Sequence, residues 1–360
     1  MAKNIIVLCD GTGQKGGVNT NTNVYKLFNM LEDRTPDQIV YYDAGIGTGE
    51  NKVLSQIFGI GFGKNMIECY RFIFENFEAG DRIYLFGFSR GAATVRSLSA
   101  FIELFGILPQ SRRDLIDEAF EIYQIKTKGD ESEAGLQYTE RTKLNRREQK
   151  AKEFIAKHHT MWTRVRFLGV WDTVSALGIS GSFLDMIVDR IWPHKFHNYN
   201  LCAGVDFARH ALSIDDERKT FHPQLWAPLR PGENPDRLKQ VWFCGVHTDV
   251  GGGYPEEELS FYSLQWMIKE ATDKGLLIHK ESPAWQDFQQ VKFNIEGTMH
   301  NELLGFKGRF FRRAVRFWPE EYGPVTLHES VLQRKKNNAN GDSPDYRPWI
   351  LNIGLRNIEK

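Results

Sequence analysis

The sequence predicts an α/β fold with a mostly parallel central sheet flanked by helices. Short apolar runs rich in β-branched and aromatic residues recur along the chain and are too short to be helices. Segments of helical composition separate several of these runs, and the loops that follow them are rich in glycine and acidic residues. Because the carboxyl ends of parallel strands meet at one edge of a sheet, we expect these loops to converge on one functional site.

The first part of the chain alternates between strand and helix. Predicted strands cover residues 5–9, 38–42 and 83–86, and predicted helices cover residues 24–31, 65–77 and 92–98. The apolar, glycine-rich residues 58–63 are predicted as either a buried turn or a loop at the site edge that lines an acyl groove. Residues 106–162 are charged and poor in β-formers, which favours a helical insertion. This insertion either covers the site as a cap or lies beside it without a gating role.

The second part continues the alternation less regularly. Predicted strands cover residues 164–171 and 240–246, and predicted helices cover residues 205–214 and 259–271. A looser C-terminal insertion is expected at about residues 275–345. We expect one domain over residues 1–360, because the length suits one core with insertions and no internal repeat is present.

The composition excludes several classes of protein. The formal net charge is zero, so the overall charge gives no reason to expect nucleic-acid binding. No apolar run approaches a membrane span, and the N-terminus begins with a predicted strand rather than a signal peptide. We therefore expect synthesis in the cytoplasm, with any export by a route that reads no N-terminal signal. The cysteines lack metal-binding spacing, so we expect reduced core thiols, no metal and no cofactor. They are Cys9, Cys69, Cys202 and Cys244.

Ser89 lies where a buried strand meets a helix. The motif Gly87-Phe-Ser-Arg-Gly91 follows the strand directly, which is typical of the nucleophile elbow of an α/β-hydrolase-like fold. Gly87 and Gly91 lack the Cβ that would clash with the adjoining strand and helix. The backbone N–H of Arg90, at the start of the helix, is expected to face an oxyanion. The alternative is a tight structural turn whose serine only caps the helix.

A nucleophilic serine needs a base within hydrogen-bond reach and an acid that orients the base. Asp172 and His247 each follow a predicted strand, in the chain order Ser, Asp, His that this fold uses. A run of three glycines beside His247 leaves space for substrate. The sequence therefore predicts Ser89 as nucleophile, His247 as base and Asp172 as orienting acid.

Other histidines and acids compete for these roles. The rival histidines are His210, His222 and His328, and the rival acids are Asp206, Asp215, Asp216 and Asp249. His210 is predicted inside a helix, and the other two histidines lie in irregular segments. Asp215 and Asp216 belong to a predicted charged, solvent-facing helix end. Asp249 is placed either to orient His247 or to cap the next turn.

The loop after the first strand is expected to supply the second oxyanion donor. The backbone N–H groups of Gly11 and Thr12 are the candidates, whereas Asp10 is expected to hydrogen-bond its own loop. Residues 11–16 also match a Gly-x-Gly-x-x-Gly dinucleotide fingerprint. Asp10 would repel a pyrophosphate, and the polar run that follows is a poor helix start, so this alternative is disfavoured.

Five ordered motifs resemble those of one protein family. They are Ile6-Val-Leu-Cys-Asp-Gly-Thr12, Gly87-Phe-Ser-Arg-Gly-Ala92, Phe167-Leu-Gly-Val-Trp-Asp-Thr173, Ala211-Leu-Ser-Ile-Asp-Asp-Glu-Arg218 and Gly245-Val-His-Thr-Asp-Val-Gly-Gly-Gly-Tyr254. Over about residues 4–335 the chain resembles the α/β-hydrolase domain family that includes the type VI secretion phospholipase effectors. The resemblance implies a lipase-type serine hydrolase acting on glycerophospholipids, and it supports Ser89, Asp172 and His247 as the triad.

The segment from Arg309 to Trp318 mixes four arginines with four aromatic residues. This composition suits peripheral contact with an anionic lipid surface. The alternative is a helix whose arginines surround core aromatic side chains. The sequence carries no signal for the oligomeric state.

Two other functions remain open from the residues alone. One is a non-catalytic binding module on a hydrolase fold, since fold does not determine function. The other is a metal-dependent phosphoester hydrolase with hard ligands at the sheet edge. Its ligands would be Asp10, Asp172, His247 and Asp249.

Overall fold

A single sheet of parallel strands forms the centre of the described chain. The computed structural model describes residues 2–11, 17, 20–45, 54–125, 146–174, 200–304, 308, 311–338, 346, 348–353 and 356–359, with the backbone alone for residues 54–62. The strands are β1 (Asn4–Cys9), β2 (Gln38–Asp43), β3 (Arg82–Phe88), β4 (Val165–Trp171), β5 (Val205–Ser213), β6 (Leu238–Phe243), β7 (Val325–His328) and β8 (Arg356–Glu359). They pair in the order β2-β1-β3-β4-β5-β6-β7-β8, and each neighbouring pair is parallel.

Helices cover both faces of this sheet. They are α1 (Asn23–Met30), α2 (Leu54–Asn76), α3 (Arg90–Phe105), α4 (Leu115–Tyr123), α5 (Arg146–His158), α6 (His247–Gly251), α7 (Glu258–Thr272), α8 (Pro283–Gln289) and α9 (Glu329–Asn338). One apolar core joins α2, α3, α4 and α5 to one face, and a second joins α1, α7 and α8 to the other. The predicted α/β-hydrolase-like architecture, with its mostly parallel sheet flanked by helices, is confirmed.

Strand β1 shows why the central strands are continuous apolar runs. All of its residues are buried. Ile5 and Val7 belong to the core beneath α2 and α3, whereas Ile6 and Leu8 belong to the core beneath α1 and α7. A strand covered on both faces needs apolar side chains on both, and each one buried contributes about 1.5–3 kcal/mol. The strand ends are thereby left as the place for polar chemistry.

Residues 205–214 were predicted as a helix, but 205–213 form strand β5. Alanine, leucine and arginine give the segment a helical composition, yet it hydrogen-bonds between β4 and β6 in the middle of the sheet. Its polar side chains have specific buried partners. Arg209, for example, is fully buried and pairs with Glu270 of α7 and with Asp236. Pairing within the sheet therefore overrides the local propensity.

Two further boundaries differ from the prediction. Residues 58–63 belong to helix α2, so the predicted loop is wrong. Each glycine costs a helix about 1 kcal/mol, which tertiary packing can outweigh. Strand β6 ends at Phe243, and Gly245 turns the chain with φ 103°. As a result, His247 begins helix α6 instead of ending a strand.

The described part of the charged region at residues 106–162 contains helices α4 and α5, and Ile107 and Met161 form an isolated antiparallel bridge. Apolar side chains of α4 and α5 join the core formed by α2 and α3. Residues 126–145 lie outside the described residues, and the role of this region as a cap stays a prediction. Within residues 275–345, β7 pairs with β6, so part of this stretch belongs to the central sheet. None of the described helices is both long and apolar enough to cross a bilayer.

Candidate active site

The turn between β3 and α3 holds Ser89 in a strained backbone conformation. Ser89 has φ 57° and ψ −119°, which costs a residue other than glycine about 1–3 kcal/mol. A Cβ on Gly87 would overlap the carbonyl group of Gly91, and a Cβ on Gly91 would overlap that of Cys9 in β1. The Ser89 side chain makes no capping hydrogen bond to α3. The turn therefore presents a half-buried hydroxyl at the carboxyl edge of the sheet.

Asp172 and His247 form a buried pair at this edge. Asp172 directly follows β4, and His247 is the first residue of α6. His247 Nδ1 lies 2.6 Å from Asp172 Oδ2, and the side chains are 5% and 0% exposed. The imidazole packs on Phe88, the residue before Ser89, with 4.6 Å between ring centroids. Because Nδ1–H donates to the carboxylate, Nε2 is the ring atom available to accept a proton.

Arg316, which the sequence analysis did not identify, binds the same carboxylate. Its Nη1 and Nη2 donate to Asp172 Oδ1 and Oδ2 over 2.6 and 2.8 Å, and both side chains are fully buried. Ser213 adds donors from its backbone N–H and its hydroxyl. Burial alone would raise the pKa of Asp172, but the charge and hydrogen bonds of Arg316, together with those of His247, hold it well below its usual range. Asp172 is therefore ionised near neutral pH.

Of the acids after β5, Asp216 is buried and Asp215 is half-buried beside this pair, so the predicted solvent-facing helix end is wrong. Asp216 Oδ2 accepts the backbone N–H of His247 over 3.2 Å and also binds Arg218. Burial raises the pKa of Asp216, but the hydrogen bonds from Arg218 hold it below its usual value. Asp215 accepts the N–H of Gly245, and burial raises its pKa to about 6. Both acids thereby fasten the loop that carries His247.

The glycine of the first loop lies beside the serine. A Cβ on Gly11 would lie 3.4 Å from Ser89 Cβ and 3.9 Å from its Oγ. The N–H of Gly11 donates to Asp10 Oδ1 over 2.9 Å, so it can serve an oxyanion only when that bond is exchanged. Arg90 is the first residue of α3, where backbone N–H groups point out of the helix. Thr12 lies outside the described residues.

Asp10 holds its own loop together. Its Oδ2 accepts the hydroxyls of Thr22 and Tyr42 over 2.6 and 2.8 Å, and its Oδ1 accepts the N–H of Gly11. Burial raises the pKa of Asp10 to about 6 despite these hydrogen bonds. The carboxyl group is therefore committed to supporting the loop after β1.

Asp249 caps α6 and does not orient the His247 ring. Its Oδ2 accepts the backbone N–H groups of Val246 and His300 over 3.0 and 3.1 Å. Its Oδ1 lies 2.7 Å from Nδ1 of His300. The helix that begins with His247 is therefore closed at its start by this carboxylate and tied to the segment around residue 300.

The remaining rival side chains also have other partners. His210 lies on β5, not in a helix, and its Nε2 accepts the N–H of Thr173 over 3.1 Å. Burial lowers the pKa of His210 to about 3, so it is neutral. His222 Nε2 lies 3.1 Å from a backbone oxygen, and His328 Nδ1 lies 2.8 Å from a serine hydroxyl. Asp206 pairs with arginines on the sheet surface.

Among the described residues, one group brings three side chains of metal-binding type together. The ligand atoms of Cys9, Asp43 and Cys69 lie within 4.8 Å of one another. The two sulfur atoms are 3.3 Å apart, and the hydrogen bond between them and burial raise the pKa of the Cys9 thiol well above its usual value. Asp43 accepts hydrogen bonds from Asn65 and the Gly45 N–H. The four cysteines are free thiols.

A large cavity in the described part of the chain is not bordered by Ser89, Asp172 or His247. It measures about 1180 Å³ and is bordered by α7, α8 and the segment at residues 276–281. A smaller cavity of about 350 Å³ lies beside α6, where Val246, Asp216 and Arg218 border it. Chemistry rather than cavity size therefore identifies the candidate site.

This chain is similar to one protein family, to a yeast protein and to solved structures. Residues 3–270 match the family described as T6SS, Phospholipase effector Tle1-like, catalytic domain. Uncharacterized protein YEL023C of Saccharomyces cerevisiae is 32% identical over 264 residues, which are 69% of this chain and 36% of that protein. The crystal structure of an uncharacterized protein from Pseudomonas aeruginosa has 18% identity and a TM-score of 0.47, covering 79% of this chain and 47% of that one.

A second solved structure is that of the Tle1 effector bound to the VgrG spike from the type 6 secretion system. It has 18% identity and a TM-score of 0.38, and the match covers 71% of this chain and 51% of that one. The chain thus spans about a third to a half of the length of these relatives. The family match itself takes in Ser89, Asp172 and His247. This chain belongs to the Tle1-like family of type VI secretion phospholipase effectors and carries its catalytic domain.

Proposed function

We propose that the protein is a serine hydrolase that cleaves a carboxylic ester of phospholipids through Ser89, His247 and Asp172. The observation that carries the proposal is the buried His247–Asp172 pair, which packs against the residue preceding a serine in the elbow conformation. Membership of a phospholipase family supports a lipid ester as the substrate.

The first half-reaction forms an acyl-enzyme. Ser89 Oγ attacks the ester carbonyl carbon while its proton passes to His247 Nε2. Asp172 accepts the Nδ1–H and stabilises the imidazolium, which then gives its proton to the departing alcohol oxygen. The acyl group stays on Ser89 Oγ. In the second half-reaction, water gives a proton to Nε2 and its oxygen to the acyl carbon, and Ser89 regains the proton as the fatty acid leaves.

Backbone donors near the serine stabilise the negative charge on the carbonyl oxygen. The N–H of Arg90 lies at the N-terminus of α3, where the helix dipole favours an anion. The loop at Gly11 and Thr12 supplies the second donor. Gly11 lies beside Ser89, and its N–H would transfer from the Asp10 carboxylate to the oxyanion.

Contact with a lipid surface is part of the proposal. Residues 311–318 lie outside the described helices and strands, and Arg309 and Phe310 lie outside the described residues. Val315 and Phe317 are 46% and 64% exposed, and Arg312 and Arg313 are also exposed. Apolar side chains beside arginines suit the interface of an anionic bilayer. Arg316 is not available for this contact, because it is buried against Asp172.

Delivery through a secretion system that reads no N-terminal signal is a further part of the proposal. The family description supports it, and one solved relative is described as bound to a secretion spike. Export from cells that have or lack an assembled type VI apparatus tests it directly. Equal amounts of the protein outside both kinds of cell would contradict delivery by that system.

Product analysis tests the ester chemistry. Native protein and Ser89→Ala are incubated with vesicles of mixed phospholipids, and the products are identified by mass spectrometry. We expect free fatty acid and lysophospholipid from the native protein and neither from Ser89→Ala. Equal product from both proteins would overturn the proposal.

The metal-dependent alternative receives no support from the geometry. Asp172 is bound by a guanidinium, which occupies both carboxylate oxygens. Asp10 binds two hydroxyls and a backbone N–H, and Asp249 binds His300. The proposed ligands thus face separate partners. A non-catalytic role remains an outcome of the product test, in which native protein would release nothing.

A further inference from the structure

The guanidinium of Arg316 has every donor engaged around the triad acid. An arginine has five N–H groups, and here they reach five acceptors. Two are the Asp172 oxygens, and three are backbone carbonyl oxygens at Ser213, Asp216 and Phe221, with distances of 2.6–2.9 Å. The side chain is buried, so no water competes for these bonds. The guanidinium is a planar fork of N–H donors, and when it is held in this way it fixes both the position and the plane of the carboxylate that it binds.

The same carboxylate oxygen serves both Arg316 and His247. Asp172 Oδ2 accepts His247 Nδ1 at 2.6 Å and Arg316 Nη2 at 2.8 Å. A positive charge therefore contacts the same carboxylate oxygen as the imidazole does. In a triad the acid alone favours the imidazolium. Here a buried cation opposes it, since like charges disfavour one another.

On this basis we propose that Arg316 is a positioning residue of the triad. It holds the Asp172 carboxylate in the plane that His247 Nδ1–H requires, and its charge counters the stabilisation of the imidazolium by that acid. The inference rests on the proposed serine-hydrolase function and deepens it. Arg316 itself touches neither substrate nor Ser89 and acts through Asp172.

The charged groups around His247 determine how loss of the Arg316 charge would affect the imidazole. They are Asp172 at its ring, Arg316 behind that acid, Asp216 at its backbone N–H, and Arg218 behind Asp216. Phe88 and Phe221 cover the ring from two other sides. Replacing Arg316 by a neutral residue leaves both acids in place. The imidazolium then becomes more favourable, and the base requires a higher pH to be neutral.

Replacing Arg316 should have two effects on the hydrolysis of a soluble ester. With a short-chain aryl ester, Arg316→Met should lower kcat/KM by about 10–100-fold. Loss of a residue that orients a metal ligand through a hydrogen bond has an effect of this size in metalloenzymes. The lower half-maximal pH of kcat/KM should rise by about one unit. Arg316→Lys keeps the charge but loses the planar fork. It should lower kcat/KM without moving that pH.

A double-mutant cycle with Asp172→Asn separates this role from general support of the fold. If Arg316 acts through Asp172, adding Arg316→Met to Asp172→Asn should change kcat/KM by less than about threefold. The double variant also avoids the unpaired buried carboxylate that Arg316→Met alone would leave in the fold. Arg112→Met, an exposed arginine on the approach to α4, is the control and should match native protein.

Two results would contradict the proposed role of Arg316. A tenfold or larger further loss in the Asp172→Asn background would overturn it, because Arg316 would then be acting through the three backbone carbonyls. An unmoved pH profile in Arg316→Met would overturn the electrostatic role. Failure of the proposed function looks different, since Ser89→Ala would then keep native activity whatever happens at residue 316.

Discussion

Ser89 keeps an unfavourable backbone conformation because the residues around it leave no other path for the chain. Gly87 and Gly91 face carbonyl groups so closely that neither position has room for a Cβ. The N–H of Ser89 also donates to the carbonyl of Trp171 in the neighbouring strand over 3.1 Å. Strain of this kind persists at sites where the surroundings over-determine the geometry. The neighbouring residues therefore fix the conformation of this turn as much as Ser89 itself does.

A methyl group at residue 91 should test that tight packing. Gly91→Ala must displace β1 or α3, and we expect a loss of about 1–3 kcal/mol in the free energy of unfolding, measured with urea. Gly204→Ala is the matched control. A Cβ there meets only the Glu103 side chain at 3.8 Å, an ordinary contact, so its stability should stay close to native. Equal stability of both variants would contradict the packing argument.

Removing the charge of the triad acid should slow turnover far more than it alters the fold. Asp172→Asn replaces an acceptor for Nδ1–H by an amide that can favour the wrong tautomer, and we expect kcat to fall by about 10⁴-fold on the serine-protease precedent. The measurement is steady-state hydrolysis of a soluble ester, with circular dichroism as the folding control. A fall of less than tenfold in folded protein would show that another acid orients His247.

Single residues differ in how far the sequence could identify them. Ser89, Asp172 and His247 each carry a local signal, since they follow apolar strands in a known chain order. Arg316 carries none, because its partner lies 144 residues away and the contact exists only after the sheet has formed. The alternation of buried and exposed residues along 315–318 becomes meaningful only once Val315 and Phe317 are seen to face outward.

At the level of elements, the loop after β1 depends on the protonation of one carboxyl group. Burial raises the pKa of Asp10 in the folded protein to about 6, above its ordinary value of 3.8. A raised pKa favours the protonated form in the fold, so the Asp10 contribution to stability is fully present below about pH 4. It is lost as the pH rises through about 6.

Asp10→Asn should remove this pH dependence. Relative to the variant, native protein should lose about 2–3 kcal/mol of unfolding free energy between about pH 4 and pH 7. The comparison uses urea denaturation of both proteins at each pH, so that contributions from other groups cancel. A difference that stays constant, or grows in favour of native protein with rising pH, would contradict the burial argument.

The segment at residues 311–318 has a buried side and an exposed side. Arg316 and Trp318 point inward, while Val315 and Phe317 are exposed. We expect Phe317→Ala to weaken sedimentation with anionic vesicles several-fold, because it removes apolar surface from the interface. Hydrolysis of a soluble short-chain ester should be unchanged. Unaltered vesicle binding would show that another surface meets the lipid.

Elements were harder to predict where the sheet overrides local composition. Residues 205–214 have a helical composition, yet Arg209 and His210 are held on β5 by partners from other parts of the chain. Helix α2 similarly runs through glycines that locally favour a loop. The early strands were predictable, because they are apolar, β-rich runs that are too short for helices. Helix α3 was predictable from the helical composition of the residues that follow Ser89.

For the whole molecule, the parallel sheet explains why distant residues meet. The ends of β3 and β4 place Ser89 and Asp172 at one edge, and the turn after β6 brings His247 against Asp172 and Phe88. This convergence follows from strand order and could be expected from the sequence. The exact partners of the buried acids could not, since they come from the loops between strands.

The chemistry proposed for this edge needs no metal ion. Treatment with a chelator, followed by removal of the chelator–metal complex, should leave the rate of ester hydrolysis within about twofold of the untreated rate, because Ser89, His247 and backbone N–H groups supply every step. The assay uses a soluble ester, since vesicles themselves respond to divalent ions. Loss of activity that a divalent metal restores would favour the phosphoesterase alternative.

The most direct measurement of the central claim is the intact mass of the protein after exposure to a fluorophosphonate. Native protein should gain one adduct, located on Ser89, and His247→Ala should react at least about 100-fold more slowly because its serine lacks a base. If His247→Ala reacts as fast as native protein, or if the adduct lies on another residue, then these three side chains do not act together and the account is wrong.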